Sequence, residues 1–198
     1  MKSVNIAPNE VSQSSRKPST KTKIILILLY IIAWIIFVGL SIEAGGFVTN
    51  AVFVLAKPEV VPHLWQQVDL RDLFQYGHGF FFTLVTIVGI VTVFKALLFY
   101  LIISILHNKQ LRIEQPFTFI AQRFILRIAS LSLLIGLFSV LGAKGAAWLS
   151  EQGVKLPDLQ ALHLSGADVW IFMSMALFVV AYIFKRGIEL QNETDLTV

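Results

Sequence analysis

The chain has 198 residues, 56% of them hydrophobic and 14% charged, whereas soluble domains carry about 25% charged residues. That contrast excludes an ordinary soluble domain, and the absence of cysteine excludes disulfides, thiolate metal sites and thiol nucleophiles. The formal net charge of +4 lies beside apolar runs, so it is read as membrane orientation and no direct nucleic-acid binding is expected.

Residues 1–23 are polar and basic, with Lys2, Arg16, Lys17, Lys21 and Lys23 among serines and threonines. Nothing in them can bury a core, so a disordered cytoplasmic tail is expected. Residues 24–42 follow without a charge and are long enough to cross a bilayer. A signal peptide has a shorter apolar region and an A-x-A-like site, which Ser41-Ile42-Glu43-Ala44 does not provide; an uncleaved first span is expected. Ala44-Gly45-Gly46 is read as the end of that helix. Val48, Ala51, Val52 and Leu55 repeat at helical spacing and predict a short interfacial helix. After Pro58 and Pro62, an amphipathic stretch from Trp65 to Tyr76 fits a second polar–apolar boundary.

The second span is read at about 80–106, followed by a polar turn from His107 to Gln115. Pro116 suits the first turn of the third helix, where its missing N–H would be unpaired in any case. The third span covers about 124–143, with Arg123 and Arg127 near its start. A second outer loop from Lys144 to Gly166 leads to a fourth span at about 168–184. Lys185 and Arg186 close it, Gly187 is a plausible terminator, and residues 185–198 form an acidic tail. The expected architecture is all-α: a four-helix integral membrane bundle over 24–184, with short interfacial helices in the first outer loop.

Basic residues near the span ends place both termini in the cytoplasm. The tail, Lys109, Arg112, Arg123, Arg127, Lys185 and Arg186 fall inside, and only Lys57, Arg71, Lys144 and Lys155 fall outside. Within lipid the spans must be helical and must associate through small residues. Ser132, Gly136, Ser139 and Gly142 supply such a face on the third span, which is expected to be central; Ser174 and Ala181 offer less on the fourth.

Lys95 stands apart. It lies roughly 18–22 Å from either end of the second span at 1.5 Å per residue, where a charge costs about 2.5–3.5 kcal/mol on insertion scales. An intramembrane polar contact for a solute, ion or proton is one reading. The other, favoured because Glu43 and Asp168 fall near the outer surface, is that Lys95 snorkels to the cytoplasmic interface. His63, His78 and His163 accompany Asp69, Asp72, Asp158 and Asp168 on the outer side, but without metal-ligand spacing. Ser150, Asp158 and His163 lack a nucleophile motif, and Gly77-His78-Gly79 lacks the continuation of a phosphate loop. No catalytic residue, metal or cofactor is expected.

Two blocks carry a resemblance. Gln115-Pro116-Phe117-Thr118 leads into Arg123 and the third span. Phe184-Lys185-Arg186-Gly187-Ile188-Glu189-Leu190 is followed by Glu193-Thr194-Asp195-Leu196-Thr197-Val198. Together with the four-span layout they resemble the bacterial membrane family described as domain of unknown function 2975, over roughly 24–198; Thr194 departs from the asparagine common there. The resemblance implies a four-helix bacterial inner-membrane protein without an established activity, whose relatives look like partners of small helix-turn-helix transcriptional regulators. It points to Pro116, Phe117, Glu189, Asp195 and Leu196 as a cytoplasmic interaction surface. A regulatory, partner-docking role is therefore the leading expectation. The rival is a small-solute or ion carrier using Lys95, which would need a homodimer to form a pathway.

Overall fold

The computed structural model describes residues 20–56, 70–107 and 118–195. They form five helices: α1 (Thr20–Ala56), α2 (Arg71–Tyr76), α3 (His78–His107), α4 (Phe119–Glu151) and α5 (Ala167–Asp195). Among the described residues there is no strand. Four helices, all but α2, are long and apolar enough to cross a membrane, as a multi-pass membrane protein requires. At 1.5 Å per residue they run roughly 44–56 Å, well beyond a hydrocarbon core of about 30 Å.

The helices lie side by side in the order α1, α3, α4, α5, with α2 against α3. Register follows from ring contacts. Tyr30 stacks on His107 and Phe37 meets Tyr100, so seven residues forward on α1 match seven backward on α3. Phe80 meets Trp148 and Phe94 meets Phe138, making α4 antiparallel to α3. Glycine fixes the last pair: a Cβ on Gly136 would stand 2.6 Å from Ile171 Cγ1 and 3.2 Å from the Ala167 carbonyl oxygen. α5 therefore begins opposite the middle of α4. The start of α1 and the end of α5 share one end of the bundle, here the terminal end.

Because α5 starts so late, residues 152–166 fold back along the far half of α4. Leu164 packs where a Cβ on Gly142 would stand, 2.8 Å from its Cδ1, and Leu162 and Leu164 are both about 1% exposed. The expected outer loop is thus a packed part of the core. Two kinds of interior result. Towards the far end, Phe47, Leu73, Phe81, Val88, Leu149 and Leu164 form a core of large apolar side chains. Towards the terminal end the helices bury small residues such as Ala33, Ala129, Ser132, Ser174 and Ala181. There they expose large ones, including Ile25, Ile35, Phe172 and Val179, the distribution that lipid favours.

Several boundaries differ from expectation. α1 does not stop at Gly45-Gly46 but continues to Ala56, so the separate helix expected around 48–55 is its extension; of the short helices in the first loop, α2 alone stands separate among the described residues. Each helical glycine costs about 1 kcal/mol relative to alanine. Ala44 and Phe47, buried on either side, hold the helix through them. α4 begins at Phe119 with Thr118 as its cap, the hydroxyl oxygen accepting from the Ala121 N–H at 3.2 Å. Pro116, expected in that first turn, lies outside the described residues, as do residues 1–19 and the turn at 108–117. α4 ends in a Schellman motif: Val154 N–H donates to Leu149 O, Gly153 N–H donates to Ser150 O, and Gly153 supplies φ +86°. Gly187 does not terminate α5, which continues to Asp195 because Ile188 beside it is buried, at 4% exposure.

The small-residue face behaves as expected: Ser132, Gly136, Ser139 and Gly142 are all buried, and α4 lies between α3 and α5. Gly136→Ala drives a Cβ against α5 backbone, so it is expected to lower stability by about 1–3 kcal/mol. Gly145→Ala, with no atom within 4 Å, should be neutral or stabilising. The buried Ser139 hydroxyl has no hydrogen-bond partner among the described residues, so Ser139→Ala should not destabilise. Thermal unfolding of the three purified variants in detergent checks this order.

Candidate functional site

Lys95 stands where four segments meet. It leaves α3 a little past mid-length, level with the first turn of α5 and, by the α1–α3 register, with Glu43. Its ammonium donates to the His163 carbonyl oxygen at 2.9 Å and lies 5.8 Å from the centre of the Trp170 ring. The His163 imidazole Nδ1 is 3.7 Å from Glu43 Oε2, and the ring meets Phe47 edge to face. The ammonium thus reaches towards the far end, not to the terminal end as the snorkelling reading expected. The physical reason is the folded-back loop: it brings a carbonyl and an aromatic face within reach, with a carboxylate at the same level. The apolar bands of α1 and α5 end at Glu43 and Asp168, so the cluster marks their boundary.

Backbone geometry explains why the carbonyl is available. Leu164 N–H donates to Leu159 O and His163 N–H donates to Gln160 O, a second Schellman motif. Its left-handed position, usually glycine, is His163 at φ 55°. Such a conformation costs a non-glycine residue on the order of 1–2 kcal/mol. A hydrogen bond from a charged donor contributes roughly 1.5–3 kcal/mol, enough to offset that strain. The motif's start is tied by Asp158, whose Oδ1 accepts from the Ala161 N–H at 2.8 Å. Chemically, the arrangement can hold a turn and present one carboxylate and one imidazole at the boundary.

The other candidates disperse. Ser150 donates to the Ala146 carbonyl in its own helix, so Ser150, Asp158 and His163 do not converge as a nucleophilic site. His78 packs against Phe74, and His63 and Asp69 lie outside the described residues. Among the described residues no group of three His, Asp or Glu side chains is placed to hold a metal ion. Of the expected interaction residues, Glu189 pairs with Arg186 at 3.0 Å and Lys185 at 3.9 Å. Asp195 ends α5, while Pro116, Phe117 and Leu196 lie outside the described residues. Sequence reasoning missed the association of Glu43, His163 and Trp170 with Lys95. The signal available was register, since Glu43 ends the first apolar run; nothing local announces the returning loop.

No protein-family model, curated protein or solved structure matches this chain.

Removing the ammonium while keeping side-chain bulk, as in Lys95→Met, should release the turn at 158–164 with helix content intact. Hydrogen exchange is expected to lose protection at the Leu162, His163 and Leu164 amides, about ten- to a hundredfold for the loss of one charged hydrogen bond. Unchanged exchange would show that packing alone holds the loop.

Proposed function

We infer that this chain is a non-enzymatic, multi-pass protein of the bacterial inner membrane, with both termini in the cytoplasm, that docks a soluble partner at its terminal end. Its motif residues support membership of the resembled family and, through it, a small helix-turn-helix regulator as the partner class. The observation that carries the reading is the length of α5. From Gly136, opposite Ala167 and Ile171, α4 runs back to Phe119, which falls level with about residue 186 of α5. The stretch from Glu189 to Asp195 therefore projects beyond α4 as ordered helix. Ion pairs from Lys185 and Arg186 to Glu189 hold its first turn. Leu190 is 64% exposed on this projection while Ile188 is buried, an apolar residue offered amid polar ones.

An ordered projection loses less entropy on docking than a solvated tail would. The carrier reading needs Lys95 free to meet a solute, and its engagement with the His163 carbonyl weighs against that use.

Two variants of the tagged chain test the docking reading in native membranes. Removal of Glu189–Val198, and separately Leu190→Glu, should each eliminate co-purification of a small helix-turn-helix regulator, with membrane insertion unchanged. Recovery equal to wild type in both would defeat the reading. A Lys95→Leu variant should keep full partner recovery; a carrier would instead lose flux in reconstituted vesicles.

A further inference from the structure

A groove of about 210 Å³ opens between α3 and α4 near the terminal end. Leu101 and Ile105 form its α3 wall, and Ile120 and Phe124 its α4 wall. Arg123 and Arg127, one turn apart on α4, stand at the same groove, and Ser104 adds a hydroxyl. Both arginines are exposed, and among the described residues neither guanidinium forms an ion pair or a hydrogen bond. Nearby positive charge is balanced differently: Lys185 and Arg186 on α5 pair with Glu189.

We propose that this groove binds one anionic phospholipid of the adjacent leaflet, its phosphodiester between Arg123 and Arg127 and an acyl chain along the apolar walls. The chemistry selects this occupant on three grounds. Two guanidinium groups one turn apart can share a phosphate through paired N–H donors, which a lysine pair would do less well. The apolar walls of Leu101, Ile105, Ile120 and Phe124 stand beside the two cations in the same groove, so one amphiphile can engage both. A free phosphate would satisfy the cations and leave the walls unfilled. Basic pockets between helices at the cytoplasmic boundary are suited to such headgroups. The proposal rests on the chain spanning a bilayer and not on partner docking.

Native mass spectrometry of the full chain, released from micelles holding equal phosphatidylglycerol and phosphatidylcholine, tests it. Wild type is expected to retain phosphatidylglycerol with a preference of at least about fivefold. The exposed double variant Arg123→Gln/Arg127→Gln should lose the preference while eluting as wild type. Leu101→Trp, which fills the groove and keeps both charges, should lose it as well. Excess inorganic phosphate should not displace the lipid. No preference in wild type, or a preference unchanged in the double variant, overturns the proposal. Displacement by phosphate makes the groove a simple anion site and also overturns it. So does a preference that appears only after Glu189–Val198 is removed, since the acidic tail would then be the occupant. Partner recovery is read separately, so either idea can fail without the other.

Discussion

The close approach of α4 and α5 at Gly136 is the constraint from which the rest of the arrangement follows. With no side chain there, the Ala167 carbonyl and the Ile171 backbone come to van der Waals distance of α4. α5 must then begin halfway along its neighbour. The connecting residues have nowhere to run except back over the far half of α4, where Gly142 leaves room for Leu164. One missing methyl group therefore decides where a helix starts, and a second decides where its loop lies.

The returning loop makes the two halves of the molecule physically different. Towards the far end, α2, the first half of α3, the second half of α4 and the loop enclose large apolar side chains, as a water-soluble domain does. Towards the terminal end, small residues meet between helices and many large apolar ones, such as Ile25, Ile35, Phe172 and Val179, face outward, because lipid removes the drive to hide them. Lys95 stands at the junction. A charge at that level is tolerable because the loop supplies a carbonyl, Trp170 supplies a ring face, and Glu43 supplies opposite charge nearby. The ammonium in turn supports a strained left-handed residue in the loop, so the two unfavourable features stabilise each other.

At the terminal end the charges divide into two sets. Those on α5 are paired along the helix, which stiffens the projection carrying Leu190. Those on α4, Arg123 and Arg127, have no ion pair among the described residues and stand beside an apolar groove. The first arrangement suits contact with a protein and the second contact with an anionic lipid.

The amino-acid sequence by itself determined that this is an all-helical membrane chain with four spans. Apolar runs of sufficient length admit no other structure in lipid, and the small residues from Ser132 to Gly142 announced the packed face of α4 through their spacing. Local propensity misjudged three points. Gly45-Gly46 and Gly187 looked like helix ends, yet buried neighbours at Phe47 and Ile188 outweigh a cost of about 1 kcal/mol per glycine. The direction of Lys95 was also misread. Only the tertiary structure decided that, along with the meeting of Glu43, His163 and Trp170 around it, because a contact between residues 68 apart depends on where a loop returns. That depends on how closely two distant helices can approach, which no window of neighbouring residues contains.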